Sequence, residues 1–364
     1  MIFLLILLLL YAVYPLYLLV GIKKLIYNKN RSMSLAPVSV IVSAKNEEHH
    51  ISSCLDALIK QSYPKDHYEI IVIDDASTDQ TASIIQKYAG KYSFIKLLRS
   101  HDKGFKSSKK SALFAGVREA SGEYLFFTDA DCQPPENWLK SMFCYFDEHT
   151  GLVAGFSPQT SHSSLWSNVL FADSLAAACV AAGSIGWQHG VTCTGRNVAV
   201  RRTALNDIGV YENFPDSLSG DDDFLLQLIA KHPDWKVNYS TLPESVVPAS
   251  GPSNVQSFMR QKQRHFSAGH YFSCNVKCAY GIYHTVNVLI WLLALGGIFF
   301  SWIFMLPLVL KLVIDFFLLK YWSHVLKIPL KPFAFLLWNA LFLMTILIAA
   351  SGSFRDTLKW TSGR

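Results

Sequence analysis

The sequence predicts an α/β domain with a mainly parallel sheet and helices on both faces, flanked by transmembrane helices at both ends. Two observations support this prediction. Strand and helix patterns alternate from residue 37 to residue 269, as expected for βαβ units that build a parallel sheet. Outside this range, stretches without charged residues lie near both termini, and they are long enough to cross a bilayer.

The elements of the central domain follow in order. Runs rich in apolar and β-branched residues, typical of buried strands, predict strands at residues 38–43, 68–73 and 124–128, and a short strand at residues 95–98. Helices are predicted between them at residues 48–59, from the N-cap signal Ser77-Thr78-Asp79 to residue 88, and at residues 106–120. The order of these elements predicts ligand binding beyond the carboxyl ends of the strands.

The N-terminal segment is predicted to be a transmembrane helix. Residues 2–20 carry no charge, and nineteen residues suffice for one span. No basic region precedes this stretch and no small-residue cleavage site follows it, which argues against a secretory signal. Lys23, Lys24, Lys29 and Arg31 come directly afterwards, and the positive-inside rule then places the following domain in the cytoplasm. We therefore assign residues 1–22 to a transmembrane helix and residues 37–269 to a cytoplasmic domain.

The C-terminal region, residues 285–353, is predicted to be a second membrane region, followed by a tail at residues 354–364. Residues 285–310 and 332–353 are free of charge and long enough to span. Between them, Lys311 and Asp315 lie one helical turn apart and can meet on one helix face. A tight hairpin near Pro307 would give three spans; without it there are two. Both counts stay open.

Charge and cysteine content exclude two other classes of protein. The net charge of +6 needs no nucleic-acid partner, because basic residues beside membrane segments account for much of it. The seven cysteines show no CxxC pair and no zinc-site spacing. In a cytoplasmic domain they are expected to be reduced, and Cys132 is interpreted as a packing residue.

Polar side chains follow three of the predicted strands where each strand ends. These are Asn46 and Glu47, Asp74 and Asp75, and Asp129 and Asp131. Because the carboxyl ends of parallel strands meet at one edge of a sheet, we expect the three clusters to converge there. Residues spaced i, i+2 on an extended chain point the same way, so Asp129 and Asp131 can face one ligand. Their hard oxygen donors suit Mg²⁺ or Mn²⁺ bound to a diphosphate.

Further motifs appear in a fixed order. They are Val38-Ser-Val-Ile-Val-Ser-Ala-Lys-Asn-Glu-Glu48, Ile73-Asp-Asp-Ala-Ser-Thr-Asp79, Thr128-Asp-Ala-Asp131, Thr194-Gly-Arg-Asn197, Gly220-Asp-Asp-Asp223 and Gln261-Lys-Gln-Arg-His265. With this set, residues 37–269 resemble the GT-A-fold nucleotide-sugar glycosyltransferases of the cellulose-synthase and chitin-synthase-like superfamily, glycosyltransferase family 2. A Rossmann-like GT-A domain is the fold that this resemblance implies.

The resemblance also implies roles for particular residues. Asp74 and Asp75 would contact the nucleotide base, and Asp129 and Asp131 would form the DxD motif that holds ribose, metal and diphosphate. Asp222 would be the general base. Lys109 matches the lysine that approaches the donor phosphates in the family, and we assign Asn46 and Glu47 to the donor side as well.

The last motif departs from the QxxRW pattern of the family, because His265 stands where tryptophan is usual. Gln261 and Arg264 are spaced i, i+3 and can face one ligand on a helix. A guanidinium suits a bidentate contact to the departing diphosphate, and we place all three residues on the acceptor or diphosphate side. A basic amphipathic helix at the membrane surface is the alternative.

Three further features each allow a second interpretation. Asp221 and Asp223 can be helix-end charges that the macrodipole stabilises. Lys106 and Lys110 can belong to a solvated helix face. The apolar, alanine-rich helix predicted at residues 163–185 matches the acceptor-side region of the family in position, but it can equally be a packed helix.

The resemblance implies an inverting, metal-dependent glycosyltransferase in the cell (inner or plasma) membrane. It would move a sugar from a nucleoside diphosphate sugar, with a UDP-sugar as first choice, to a lipid-linked or glycan acceptor, as in polysaccharide biosynthesis. A processive polysaccharide synthase is one alternative, which the small number of spans and the missing tryptophan argue against. A catalytically inactive membrane subunit that binds nucleotide sugar is another, which the intact Asp129, Asp131, Asp222 and Arg264 argue against.

Overall fold

The computed structural model describes residues 2–27, 35–100, 107–214 and 220–352. The strands are β1 (Val38–Ala44), β2 (Tyr68–Asp74), β3 (Ile95–Arg99), β4 (Tyr124–Asp129), β5 (Thr150–Ala154), β6 (Gln159–Thr160), β7 (Val198–Arg201), β8 (Lys236–Tyr239) and β9 (Ala249–Ser250). The helices are α1 (Ile2–Tyr27), α2 (Ile51–Ile59), α3 (Thr81–Lys91), α4 (Ser108–Glu119), α5 (Trp138–Phe143), α6 (Ser164–Ile185), α7 (Arg202–Asp207), α8 (Val210–Asn213), α9 (Asp221–Lys231), α10 (Val255–Ala268), α11 (Cys274–Phe299), α12 (Leu306–Val325) and α13 (Pro332–Gly352).

Seven strands form one sheet in the order β3-β2-β1-β4-β7-β5-β8. All neighbouring pairs are parallel except those of β7, which runs antiparallel to both β4 and β5. The predicted mainly parallel sheet is therefore confirmed. A small parallel pair, β6 with β9, lies outside this sheet.

The register of the central strands brings their carboxyl ends to one edge. Ala44 lies opposite Asp74 across the β1–β2 pair, and Ser43 lies opposite Asp129 across the β1–β4 pair. The carboxylates that follow β2 and β4 therefore flank the end of β1, and the expected convergence of polar clusters at this edge is confirmed.

Helices cover both faces of the sheet, because alternate residues of each strand point to opposite faces. Val40 and Val42 belong to the core that includes α2, whereas Ile41 belongs to the core that includes α4 and α6. The approach of α4 is close: a Cβ on Gly116 would lie 2.7 Å from a methyl carbon of Ile73. This glycine lets the helix backbone rest directly on the strands.

Helix α6 is a packed helix. Most of its residues from Val169 onwards are buried, and its C-terminal half lies against α1. It is long and apolar enough to cross a membrane by length and composition. However, the strands at its two ends, β6 and β7, belong to the α/β domain, so we interpret it as the layer between the sheet and the terminal helices.

The C-terminal region contains three long apolar helices. The stretch predicted as one span at residues 285–310 is broken, because α11 ends at Phe299 and α12 begins at Leu306 with Pro307 in its first turn. The connection folds back tightly: a Cβ on Gly297 would lie 2.5 Å from the Met305 side chain. Of the two alternatives that the sequence leaves open, the hairpin near Pro307 describes these helices.

Four helices in the described part of the chain are long and apolar enough to cross a membrane: α1, α6, α11 and the segment at residues 302–325. A polar contact ties the first and last of these together. Asp315 accepts a hydrogen bond from Tyr11 of α1 and forms an ion pair of 2.6 Å with Lys311. Lys311 is 1% exposed and also donates to Asn339 of α13. The predicted Lys311–Asp315 pair is therefore present, with Lys311 buried and Asp315 half-buried.

Several predicted helix boundaries differ from the structure. Helix α2 begins at Ile51 rather than at residue 48, because residues 47–50 form a turn in which Glu47 O accepts from the backbone amides of His50 and Ile51. Helix α3 begins at Thr81, where Asp79 accepts from the Thr81 amide, and it extends past residue 88. Helix α4 begins at Ser108 after the N-cap Ser107. The predicted Lys106 lies outside the described residues.

Candidate active site

The loop after β1 is fastened to the loop after β2. Asn46 has a φ of 54°, a left-handed conformation that asparagine adopts more readily than most residues. Its Oδ1 accepts a hydrogen bond of 2.8 Å from the Thr78 amide, and its own amide donates to Ser77 Oγ at 3.0 Å. Asn46 thus fixes the relative position of the two loops at the sheet edge.

Glu47 lies beside Asn46 and has a similar bracing contact. Its amide donates to Thr81 Oγ1 at 2.8 Å, and its carboxylate lies 3.0 Å from His50 Nδ1. Both predicted donor-side residues are therefore at the expected edge, where these bonds connect neighbouring loops.

Asp74 and Asp75 end β2 with buried carboxylates, 5% and 6% exposed. Asp74 Oδ1 accepts from the Ser77 amide at 3.3 Å. Asp75 Oδ2 pairs with Lys45 Nζ at 3.2 Å. Carboxylates fixed in this way present defined oxygen positions at the sheet edge, as a hydrogen-bonding ligand requires.

Asp129 and Asp131 lie at the end of β4. Asp129 Oδ1 forms an ion pair of 2.7 Å with Lys109 Nζ of α4, and Asp131 is only 4% exposed. Burial opposes the charge of Lys109, but the nearby Asp129 outweighs it and raises the pKa of this ammonium above its usual value. Lys109 is thus a fixed positive charge at the DxD carboxylates. Burial and these carboxylates raise the pKa of the Cys132 thiol, consistent with a packing residue.

These carboxylates fit the chemistry of a magnesium or manganese site. In the part of the chain that the structure describes, no group of three or more His, Cys, Asp or Glu side chains is placed to hold a metal ion. Mg²⁺, however, is usually held by only one or two protein carboxylates, with waters and substrate phosphates as the other ligands. The oxygen donors of Asp129 and Asp131 meet that requirement. The Lys109 contact shows that a cationic partner already balances one of them.

Helix α9 begins at the same site with three consecutive aspartates. Its N-cap, Gly220, has a φ of +89°, and a Cβ there would lie 2.6 Å from that of Ala268 in α10. Only glycine meets both conditions without strain. Asp221 then pairs with Lys110 Nζ at 3.1 Å, and Lys110 is 1% exposed. The interpretation of Lys110 as part of a solvated helix face was therefore wrong, because α9 and Phe214 cover it.

Asp222 is held by the loop that contains the Thr194–Asn197 motif. Its Oδ2 accepts a short hydrogen bond of 2.6 Å from the Gly195 amide. Burial, followed by the negative charge of Asp221, raises the pKa of Asp222, while the Gly195 bond and Lys109 act in the opposite direction. A carboxylate with a raised pKa is a stronger proton acceptor than an ordinary aspartate.

Asp223 contacts the same loop one step earlier. Its Oδ1 accepts from Thr192 Oγ1 at 2.7 Å and from the Cys193 amide at 3.1 Å. Burial, together with the charge of Asp222, raises the pKa of Asp223 well above its usual value. Neither Asp221 nor Asp223 is only a helix-end charge: one balances a buried lysine, and the other fastens a loop.

Helix α10 brings the last motif to the same cleft. Arg264 lies close enough to Lys109 that its positive charge partly offsets the rise in the pKa of that lysine. The His265 ring lies near several cations of this site. Desolvation, followed by the charge of Arg264 and of the other nearby cations, lowers its pKa well below the usual range. Gln261 lies one turn earlier on the same helix and is half-buried.

Two neighbours of these residues were not assigned roles from the sequence. Arg196 lies near both Cys132 and His265, since its charge lowers the pKa of each. Its Nε is buried without a hydrogen-bond partner among the described residues. Asn197 is fully buried and accepts from Trp138 Nε1 at 2.9 Å. The motif Thr194-Gly-Arg-Asn197 was the available signal, but it did not show that Arg196 lies near the charged residues of the site while Asn197 is buried in the domain.

Together, these residues form one charged cleft at the carboxyl edge of the sheet. Carboxylates at Asp129 and Asp131 can hold a hard cation, and the cations Lys109 and Arg264 can bind an anionic group such as a diphosphate. Asp222, on which the charge of Lys109 also acts, can accept a proton. This combination suits the displacement of a charged leaving group by a hydroxyl nucleophile.

Comparisons with known families agree with this arrangement. The model of "Glycosyl transferase family 2" matches residues 39–209. The model of "Glycosyl transferase family group 2" matches residues 139–350, more than half of the chain. The two matches together include the strands, the charged cleft and the C-terminal helices.

Among curated relatives, "Probable glycosyltransferase YdaM" of Bacillus subtilis is 31% identical over 188 residues, which cover 49% of this chain and 44% of that protein. "Beta-monoglucosyldiacylglycerol synthase" of a Nostoc species is 35% identical over 128 residues, which cover 35% of this chain and 27% of that protein. The matched part thus spans less than half the length of either relative.

A solved structure, a mannosyltransferase from Pyrobaculum calidifontis in complex with GDP-Man and Mn²⁺, has the same fold. The TM-score is 0.58 at 20% identity, and the match covers 94% of each chain. The predicted GT-A fold is confirmed by this likeness and by the sheet topology. On the fold, the cleft and the family models taken together, the chain belongs to glycosyltransferase family 2.

Proposed function

We propose that this chain is a membrane-bound, inverting glycosyltransferase. It transfers a sugar from a nucleoside diphosphate sugar, with a UDP-sugar as first choice, to a lipid-linked or glycan acceptor. The observation that best supports this proposal is that Lys109 links Asp222 to the DxD carboxylates. Lys109 forms an ion pair with Asp129, and its positive charge also acts on Asp222.

The donor side would hold the nucleotide and its diphosphate. Asp74 and Asp75 are the proposed contacts to the base, and Asp129 and Asp131 are the proposed ligands for Mg²⁺ or Mn²⁺. A bound divalent cation would neutralise charge on the leaving diphosphate. Lys109, Arg264 and Arg196 would supply further positive charge, and the buried Nε of Arg196 is a donor that an anionic oxygen could satisfy.

The base side would activate the acceptor. The Asp222 carboxylate accepts the proton of the acceptor hydroxyl as its oxygen attacks the anomeric carbon. The bond between that carbon and the diphosphate oxygen breaks at the same time, and the nucleoside diphosphate leaves with the electron pair. Attack on the face opposite the leaving group inverts the anomeric configuration. The raised pKa of Asp222 favours its role as proton acceptor.

The terminal helices support a membrane acceptor. Helix α10 is tied to two of the apolar helices through Asp173 of α6, which accepts from Lys262 at 2.6 Å and from Trp338 Nε1 of α13 at 3.1 Å. The helix that carries Gln261, Arg264 and His265 therefore rests on α13. In the proposed orientation, Lys23 and Lys24 lie at the cytoplasmic end of α1, in the inner or plasma membrane. The cleft would then open beside the bilayer surface, where a lipid-linked acceptor presents its head group.

The test is a donor screen on membranes that contain the protein. UDP-, GDP- and dTDP-sugars are supplied one at a time with Mg²⁺ or Mn²⁺, and release of nucleoside diphosphate is measured together with product length. We expect one nucleotide class to be turned over and single-sugar products to form. Long polymers would favour the processive synthase. Tight donor binding without any release, with acceptor lipids present, would instead favour the inactive subunit.

A further inference from the structure

The segment at residues 187–195 connects the N-terminal helix α1 with the catalytic cleft. At its first residue, the Trp187 indole donates to the carbonyl oxygen of Tyr17 at 2.9 Å and stacks on the Tyr17 ring with centroids 5.6 Å apart. The ammonium of Lys24 lies 3.4 Å from the indole centroid, and Tyr17 Oη lies 3.1 Å from His189 Nδ1. Trp187 is thus held by one face of α1.

The backbones of α1 and α6 are in direct contact beside this cluster. A Cβ on Gly21 would lie 1.9 Å from the carbonyl oxygen of Gly183, and a Cβ on Gly186 would lie 1.9 Å from that of Gly21. Small residues allow such close packing of apolar helices. The position of α1 relative to the start of the 187–195 segment is therefore fixed by backbone contact as well as by aromatic rings.

The middle of the segment is fixed to the sheet and to α9. Gln188 donates to the carbonyl oxygen of Val237 and accepts from the Val237 amide, both at 3.0 Å. The carbonyl oxygen of Val191 accepts from Gln227 Nε2 of α9 at 2.9 Å. Because these contacts fix the backbone of the segment, we expect a shift of Trp187 to move the residues that follow it as well.

The far end of the segment holds the proposed base. Thr192 and Cys193 donate to Asp223 at 2.7 and 3.1 Å, and the Gly195 amide donates to Asp222 at 2.6 Å. These three bonds all go to carboxylates of two adjacent residues in the first turn of α9. The orientation of Asp222 thus depends on where the segment lies.

We propose that α1 acts through the 187–195 segment to position Asp222, with Trp187 and Asp223 as positioning residues. This inference rests on the proposed role of Asp222 as base, and it gives the N-terminal helix a part in catalysis beyond membrane attachment. Neither positioning residue needs to touch the substrate. They hold the Gly195 amide where it fixes Oδ2 of Asp222. The other oxygen, Oδ1, accepts from the Asp223 amide at 3.2 Å and keeps a second lone pair for the acceptor proton.

The Gly195 bond also gives the proposal a signature in the pH profile. Charges that act on Asp222 come from Asp221 and Asp223 on its own helix and from Lys109 on α4. The Cys193 thiol donates to the backbone carbonyl oxygen of Asp222. The Gly195 bond lowers the pKa of Asp222. Loss of this bond would raise the pKa of Asp222. As the pH is lowered, Asp222 would then become protonated at a higher pH than in the parent protein, and activity would fall at that higher pH. A loss of folding alone would lower the amount of active protein without moving this limb.

The experiment compares two tyrosines of α1 in the full-length membrane protein. Trp187→Leu and Tyr17→Leu disrupt the contact, and Tyr14→Leu is the matched control, because the Tyr14 ring lies 4.3 Å from that of Tyr283 in α11 instead. For the first two variants we expect kcat to fall about 10- to 100-fold, with donor Kd within about twofold and the acid limb at higher pH. Trp187→Phe, which keeps a ring but loses the bond to Tyr17, serves if the leucine variant does not fold.

Hydrogen exchange at the Cys193 and Gly195 amides provides a readout that needs no activity. Faster exchange in Trp187→Leu but not in Tyr14→Leu would support the connection even if the chain transfers no sugar, so failure of the proposed function would be recognised separately. Parental kcat, pH profile and exchange in Trp187→Leu would overturn the proposal. An equal loss in Tyr14→Leu and Tyr17→Leu would also overturn it, since the effect would then come from the membrane helices in general.

Discussion

The two sides of the cleft are built in different ways. On the donor side, Asp74 and Asp129 end parallel strands whose register places them on either side of β1. On the base side, Asp222 and Asp223 lie in the first turn of a helix and are oriented by a loop that comes about thirty residues earlier in the chain. One side is fixed by the sheet itself. The other is fixed by side-chain and backbone bonds between segments that are distant in sequence.

Because the two sides are built differently, we expect substitutions on them to affect activity in different ways. A change on the donor side removes a ligand or a charge but leaves the strand ends in place, because the ladder hydrogen bonds do not depend on them. A change on the base side can displace the catalytic group without touching it. We therefore expect activity to depend mainly on the ligand-contacting residues themselves on the donor side. On the base side, we expect substitutions far from Asp222 to lower activity as well.

The largest expected effect is on the donor side, at Asp131. Asp131→Asn removes one charge from the proposed metal site, and a loss of charge stabilisation of about 4 kcal/mol corresponds to roughly a thousandfold lower turnover. EDTA should have the same effect on the parent protein. The measurement is nucleoside diphosphate release with and without added Mn²⁺. Full activity of the parent in EDTA would contradict the metal assignment, whatever the variant does.

An intermediate effect is expected at Arg264, where α10 meets the donor side. Arg264→Gln removes a charged hydrogen-bond donor worth about 1.5–3 kcal/mol, so kcat/KM should fall about 10- to 100-fold. Arg264→Lys is the control, because it keeps the charge but loses the planar fork, and it should lose less. Steady-state kinetics with the preferred donor would measure both. Parental kinetics in Arg264→Gln would remove this residue from the diphosphate site.

The smallest effect is expected at His265. Its lowered pKa means that the ring is neutral at neutral pH, so its protonation should not limit activity there. His265→Gln should change kcat less than about tenfold and leave the shape of the pH–rate profile unchanged. If the parent shows a limb near about pH 6.5, the ordinary pKa of histidine, and the variant lacks it, the ring titrates during the reaction and this assignment is wrong.

Some elements of the fold could be predicted from the sequence, whereas others depend on contacts that form only in the folded chain. Strands β1, β2 and β4 could be predicted because each is a continuous apolar run followed by polar residues, and a parallel sheet then requires their ends to meet. Whether a hairpin forms near Pro307 could not be decided, because residues 285–310 contain no charge that marks a turn. Its tightness depends on Gly297 packing against Met305, which is a tertiary contact.

The candidate site was predicted to a similar extent. Asp129, Asp131 and Asp222 could be proposed from motifs, and in the structure Lys109 pairs with Asp129 while its charge also acts on Asp222. The burial of Lys110 could not be predicted, since a lysine in the first turn of a helix is usually solvated, and α9 and Phe214 come to cover this one only in the folded chain. The same holds for Asp223, whose partners Thr192 and Cys193 become its neighbours only in the folded chain.

The role of Asp222 is the central claim, and Asp222→Asn tests it most directly. This variant keeps the size of the side chain but cannot accept the acceptor proton. General bases typically contribute about 100- to 10,000-fold, so kcat for transfer should fall at least about 100-fold. The Kd of the donor, measured by calorimetry on the purified protein, should stay within about twofold, because the proposed nucleotide and metal contacts lie on the other side of the cleft. Near-parental transfer by Asp222→Asn, or loss of donor binding, would contradict the account.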